Sequence, residues 1–310
     1  MPLMTRRAVV TGAGLTAFGL GGYAFAIEPG FRLEITSYRV TPANWPRDFD
    51  LRIAVIADLH AGEPQMPAQR IAHIVEATNA LKPDLIVLLG DYVAAHKFVT
   101  RIVPSGEWAG LLGTLKAPLG VHAVLGNHDW WDDPGSQARR GGPTLSRLAL
   151  AAAGIGVLEN DAVRLSKAGK PFWLLGLADQ LALLPLPGAP RSRGRSRATG
   201  LHDLAGTLAR INDDAPAILL AHEPDIFPRV PNRVALTISG HTHGGQVRVA
   251  GYSPIVPSNF GNRYAYGHMI EQGRHLIVSG GLGTSTLPVR FGVPPEIVVV
   301  DVAGGGAAIV

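Results

Sequence analysis

Five short apolar runs in this 310-residue chain end in side chains able to ligate a metal ion. They deliver Asp58 with His60, Asp91, Asn127 with His128, His222, and His241 with His243. Carboxylates, imidazoles and one amide oxygen form a donor set for borderline divalent ions such as Mn, Fe, Zn or Co. An all-oxygen set would instead indicate Mg or Ca. Asp58, His60, Asp91, Asn127, His222, His241 and His243 are too many ligands for one tetrahedral ion and suit two ions sharing a carboxylate. Two such ions ~3.5–4 Å apart clamp a phosphoryl group, activate a water and stabilise both entering and leaving oxygens.

Taken singly, most of these motifs have a plainer reading. Asp58-Leu59-His60 reads equally as a cap or loop pair, and Gly90-Asp91 as an ordinary strand-to-loop turn. Gly126-Asn127-His128-Asp129 is also a tight turn with a helix cap, and His222 alone would be a satisfied buried histidine. Gly240-His241-Thr242-His243-Gly244-Gly245-Gln246 is the most specific, because two histidines between glycines give no packing advantage over leucine. The ordered conjunction, each motif at a strand end, carries the metal reading. His73, His96, His122, His202, His268 and His275 have no such context and are read as structural.

Residues so far apart need a scaffold that gathers them. The runs at 51–57, 84–89, 120–125, 217–221 and 234–239 are short, apolar and rich in β-branched residues, as buried strands are. Segments 171–177, 275–279 and 296–301 read as further strands. Pro67 to Leu81 has helical spacing, with Ile71, Ile74, Val75 and Ala77 or Thr78 facing inward, and Pro143 to Ala153 also reads as helix. Alternating elements with strands this apolar predict an α/β fold, a four-layer α/β/β/α sandwich with two packed mixed sheets. Its metal site is expected at the carboxyl ends of the strands, where loops converge. One domain is expected over residues 27–310, with Leu183 to Gly200, rich in Pro, Gly, Ser and Arg, as a mobile loop.

Composition narrows the function classes. The chain has no cysteine, which excludes disulfide scaffolds, thiolate metal sites and cysteine nucleophiles. The net charge of +4 is a mild excess, partly local to Arg191, Arg193, Arg195 and Arg197. Without a basic stripe interleaved with aromatics, extended nucleic-acid binding is not expected. Arg6 and Arg7 precede a stretch from Ala8 to Ile27 that carries no charge and contains Ala24-Phe25-Ala26. Residues 1–26 therefore read as a twin-arginine-type signal peptide or a membrane anchor, placing the protein on the periplasmic side of a bacterial inner membrane. Residues 8–27 and the Arg191–Arg197 loop are the expected membrane contacts, the latter through anionic headgroups. No obligate protein partner is indicated. Arg290 is expected either to reach a substrate phosphate or to form a surface ion pair. Trp130 and Trp131 read as packing or as a wall against an apolar leaving group.

The ordered set of motifs resembles the calcineurin-like metallophosphoesterases, from about residue 50 to residue 301. The Gly244-Gly245-Gln246 tail and the segment from Gly281 through Arg290 to Ile297 are similar to an exported or membrane-associated bacterial branch. That branch is similar to some UDP-2,3-diacylglucosamine pyrophosphatases. The resemblance implies that Asp58, His60 and His243 hold one ion, Asn127, His222 and His241 the other, and that Asp91 bridges them. It implies that His128 faces the scissile phosphate and assists the leaving oxygen, with Asp129 orienting it. The implied cofactor is a pair of divalent ions, Mn first, with Fe, Zn or Co as alternatives. The implied reaction is in-line attack by a hydroxide held between the ions on a phosphodiester or pyrophosphate of a small-molecule or lipid-linked substrate. A phosphomonoesterase shares the same core. A non-catalytic scaffold is disfavoured because every ligand position is filled.

Overall fold

A computed structural model of the chain describes residues 14–304 except 17, 95, 187 and 189–197. Its strands are β1 (Glu34–Val40), β2 (Leu51–Ile56), β3 (Gly62–Glu63), β4 (Leu85–Leu88), β5 (Arg101–Ile102), β6 (Val121–Ala123) and β7 (Gly156–Val157) in the first half. The second half adds β8 (Asp161–Lys167), β9 (Lys170–Gly176), β10 (Ala217–Leu220), β11 (Val234–Ser239), β12 (Gly267–Glu271), β13 (Arg274–Val278) and β14 (Glu296–Val302). Among the described residues they form two six-stranded sheets, ordered β1-β14-β2-β4-β6-β7 and β12-β13-β11-β10-β9-β8, and a ribbon of β3 with β5. Both large sheets are mixed: β14 runs antiparallel to β2, and β12 and β8 run antiparallel to their neighbours. The central pairs β2 with β4, β4 with β6, and β10 with β11 are parallel. Their carboxyl ends therefore meet at one rim of the sandwich, and every candidate ligand follows one of them.

The strand alternation explains the layering. Successive residues of a strand face opposite sides. In β2 and β4, Ile53, Val55, Leu85 and Val87 point into the core between the sheets, where they meet Phe172, Ile218 and Ile238 of the second sheet. Ala54, Ile56, Ile86 and Leu88 point outward under Ile71, Trp108 and Leu150 of the covering helices. The helix Ala68–Ala80 buries Ile71, Ile74, Val75 and Thr78, and the Thr78 hydroxyl donates to the Ile74 carbonyl at 2.7 Å. The layer outside the second sheet is thin. It is made of the short helix Leu204–Leu208 and the turns Pro224–Arg229 and Gly261–Tyr264, with Ile226, Phe227 and Tyr264 against Leu219.

The edge strands β1, β8 and β12 escape a search for apolar runs. They lie at sheet edges or beside them and keep polar residues on one face, so their burial alternates or stays partial. At the amino-terminal side, Ala24 O accepts from Arg290 N at 2.9 Å and Glu28 Oε1 from Val293 N at 2.9 Å, docking this segment on the body. No helix among the described residues is long and apolar enough to cross a membrane. The Thr5-Arg6-Arg7 pattern and the Arg191–Arg197 run lie outside the described residues. The ends of the loop expected over 183–200 are joined by Leu183 N donating to Thr199 O at 3.0 Å.

Phe172 is wholly buried between the sheets, with Trp45 and Phe49 ring centroids 6.0 and 5.8 Å away. Phe172→Ala is expected to cost about 3–5 kcal/mol in urea unfolding. A loss below about 1 kcal/mol would contradict close packing between the sheets.

Candidate metal centre

The strand ends turn sharply as they deliver their ligands. Asp58 (φ 52°), His60 (46°), Asp91 (55°), His241 (68°) and His243 (51°) all lie in the left-handed region. Such conformations cost roughly 1–3 kcal/mol each and persist only where surrounding structure enforces them. Backbone bonds between neighbouring strand ends do so here. Asp58 N donates to Gly90 O (3.1 Å), His60 N to Asp91 O (2.9 Å) and Gly240 N to His222 O (3.0 Å). The glycines of the motifs provide space. A β-carbon at Gly126 would collide with the Asp91 carboxylate and come within 2.6 Å of the His222 ring, and one at Gly240 would lie 2.6 Å from Asp58 Oδ2.

The ligand atoms fall into two groups that share Asp91: Asp58, His60, Asp91 and His243, and Asp91, His222 and His241. Within each group the atoms lie within 4.8 Å of one another. His60 Nε2 is 3.1 Å from His243 Nε2 and 3.6 Å from Asp91 Oδ2, and His222 Nε2 is 3.2 Å from the same oxygen. Asn127 Oδ1 joins the second group, 2.9 Å from His241 Nδ1. His60 Nδ1 and His222 Nδ1 meet the Val93 and Leu89 carbonyls at 3.0 and 2.6 Å. Donating from Nδ1 leaves the Nε2 lone pair facing the centre, the usual arrangement of a ligating histidine. Lone pairs and carboxylate oxygens crowded together in a buried space fit divalent cations.

Electrostatics gives the same reading. Burial pushes Asp58 up to about 7, with the Asp91 charge adding to it, and burial drives His60 down to about 3. Burial also pulls His222 down, but the Asp91 carboxylate outweighs it and holds His222 well above the ordinary histidine range.

His128 stands beside this cluster. Its backbone N donates to Asp91 Oδ1 at 2.8 Å, its Nδ1 pairs with Asp132 Oδ2 at 2.9 Å, and its Nε2 lies 3.3 Å from Ser285 Oγ. Three sequence-based expectations are corrected here. Asp129 does not touch the His128 ring: its carboxylate accepts from the Asp91, Tyr92 and Gly126 amides and from Ser146 Oγ, at 2.8 to 3.2 Å. It ties two motif loops together, and the partner of His128 is Asp132, one helical turn on. That i, i+4 spacing was readable once residues 127–131 were seen as helix. Trp130 is buried in the core under the first sheet, so the neighbouring Trp131 forms the site wall. Arg290 is fully buried, and its guanidinium donates to the Gly280, Gly283 and Val293 carbonyls while lying 3.2 Å from His243 Nδ1. It meets neither solvent nor a substrate phosphate.

Two clefts adjoin the centre. One, of about 470 Å³, has Asp91, Asn127, His128, His241 and His243 at its base and Trp131, Val247, Pro254, Ile255, Leu287 and Val289 along its walls. The other, of about 340 Å³, is lined by His60, His96, Lys97, His128, Thr284 and Ser285. His96, read from sequence as structural, thus faces a cleft. Gln246 supports the segment between the two: Oε1 accepts from Ser285 N at 2.6 Å and Nε2 donates to Leu287 O at 3.0 Å.

Bound ions would offset both the ligand crowding and the backbone strain. Stripping with a chelator is expected to lower the melting temperature by on the order of 10 °C, and reloading to restore it. Because imidazole and carboxylate ligands must be free of protons to hold an ion, Mn affinity should rise with pH. Calorimetric titrations giving the same affinity at about pH 6 and about pH 8 would contradict this.

Comparison with known proteins agrees with this geometry. Residues 51–245 match the family described as calcineurin-like phosphoesterase. The chain is 32% identical over 297 residues to the uncharacterized metallophosphoesterase YkuE of Bacillus subtilis (strain 168), covering 94% of this chain and 92% of that protein. It is 28% identical over 288 residues to phosphodiesterase YaeI of Escherichia coli (strain K12), covering 90% and 92%. With the metal-ligating cluster at its strand ends, the chain belongs to the calcineurin-like phosphoesterase family and is a metal-dependent hydrolase.

Proposed function

We propose that this protein hydrolyses a phosphodiester or pyrophosphate bond with two divalent ions, Mn being the first choice. One observation carries the reading: Asp91 belongs to both ligand groups, as a carboxylate shared between two ions must. Asp58, His60 and His243 would hold one ion, and Asn127, His222 and His241 the other. Ions held there would supply a water of lowered pKa and neutralise phosphoryl oxygens. Two clefts meeting at the centre leave room for two substituents on phosphorus, which favours a diester or pyrophosphate over a monoester.

The chain's own residues handle orientation and the proton. His128 reaches the centre from the side with Nε2 free of any carboxylate, so Nε2 is the atom placed to assist the leaving oxygen. Burial alone would lower its pKa, but Asp91 and then Asp132 raise it, which keeps a proton available for donation. Asp132 fixes the ring through Nδ1, and Asp129 fixes the backbone that carries both His128 and Asp91. An export signal or anchor in residues 1–26 and action on the periplasmic side complete the proposal, supported by the charge pattern of that segment.

Asp91→Ala is expected to lose metal and all hydrolysis of bis(p-nitrophenyl) phosphate. His128→Ala should keep two ions by elemental analysis and lose roughly 10²–10⁴-fold in kcat, most for poor leaving groups. Metal loss in that variant would count against the assigned roles. Asp132→Asn removes a charge that raises the His128 pKa, so the basic limb of the kcat profile should move to lower pH. An unmoved limb would remove Asp132 from the mechanism.

A further inference from the structure

The small-x-small pattern that would mark a cut, Ala24-Phe25-Ala26, lies inside a segment packed on the catalytic body. Tyr23–Ile27 and Glu28–Phe31 form consecutive helical turns, in which Ala24 is 8% exposed and Glu28 2%. The Arg290 amide donates to Ala24 O and the Val293 amide to Glu28 Oε1, both at 2.9 Å, and the Tyr23 ring meets Phe291 edge-on at 6.2 Å. The Arg70 guanidinium, from the helix Ala68–Ala80, donates to the Pro29 carbonyl and, at 2.8 Å, to Arg32 O. We propose that residues 23–32 are a permanent part of the folded enzyme: they are not shed by a cut after Ala26, and they brace the metal centre through residues 290–293.

Both halves follow from what residues 290–293 touch. Phe291 N donates to Gln246 O and Arg248 N to Phe291 O, each at 2.8 Å, so this segment pairs with the chain just past His243. The Arg290 guanidinium lies 3.2 Å from His243 Nδ1. Residues 290–293 are thus held between the amino-terminal turns and the loop that carries His243, and the bracing role rests on His243 being a ligand, as in the function proposed above. Arg290 and Val293 are 0% and 1% exposed, so removing Ala24 or the Glu28 carboxylate leaves a buried amide without its acceptor. Such a loss costs roughly 1–3 kcal/mol. A peptidase must also draw the residues around a cut into its own site, which requires the packed turns to open first. Ala24 and Glu28 lie on either side of the Ala26–Ile27 bond, so the packing that must open spans the cut. Glu28 is therefore a positioning residue for the centre.

The test takes the full chain with a carboxyl-terminal tag, produced in a bacterial host and shown by protease accessibility in spheroplasts to have crossed the membrane. Intact mass should give a first residue at or before Tyr23, and a first residue after Tyr23 would overturn retention. Chain that stays inside the cell is incubated in detergent with purified signal peptidase, where it should remain whole; a cut after Ala26 would overturn retention. Bracing is read from Mn affinity by calorimetry. Glu28→Ala should weaken it about threefold or more, and Glu28→Gln, which keeps an acceptor oxygen, should restore most of the loss. Phe172→Ala, in the core beside Trp45 and Phe49, should lower the melting temperature and leave the affinity unchanged. Equal affinity in the wild type and Glu28→Ala, or a loss in Phe172→Ala that matches the one in Glu28→Ala, would overturn the bracing role. A wild-type chain that bound no Mn would remove the metal reading and the bracing with it, while the mass would still decide retention.

Discussion

The carboxylate of Asp91, buried between two sets of ligand atoms, is the interaction on which the rest of the structure depends. Withdrawing a charge from water into a protein interior costs several kcal/mol after relaxation unless a partner compensates. Asp58 and Asp91 are both 0–1% exposed, and the imidazoles of His60 and His243 approach each other to 3.1 Å. Such a cluster is unfavourable by itself and favourable around cations. This single requirement accounts for the left-handed backbone at five ligand positions and for the glycines that leave no side chain between Asp58, Asp91 and His222. Bound ions would offset this local strain.

A frame of buried polar residues holds the ligands without joining the chemistry. Asp129 gathers three amides from two loops, so the loops after β4 and β6 are tied together. Arg290 does the same on the other side, joining the carbonyls at 280, 283 and 293 and lying against His243, while its own amide reaches back to Ala24. Burial lowers its pKa to about 10, which leaves it charged at neutral pH and able to balance Asp58. From the sequence, Asp129 was expected to orient His128, and Arg290 to reach a substrate phosphate or form a surface ion pair. Their burial instead makes them parts of the support, and a positioned site needs such support to hold its geometry.

How the centre meets substrate is a matter of the loops. The segments 245–257 and 284–289 come together only in three dimensions to line the larger cleft, and Gln246 holds residues 285–287 between the two clefts. On the proposed function, the metal core would set which bond breaks and these walls what is attached to it. Loop variation on a fixed core is the general route by which one fold serves many substrates.

The sequence alone determined the strand runs, their order and the residue at the end of each, because a buried strand leaves a continuous apolar signature and a ligand interrupts it in a recognisable place. It thereby showed Asp58, His60, Asp91, Asn127, His222, His241 and His243 as a set, and the layered α/β class with them. It did not show β1, β8 or β12, whose half-exposed faces dilute the signature. Nor could it separate Asp129 from Asp132, or Trp130 from Trp131, because neighbours in sequence differ in role only through the direction a helix turn gives them. Arg290 was misread for a different reason: a guanidinium fits a phosphate or a cluster of carbonyls equally well, and only tertiary packing, by removing it from solvent, decided which it meets.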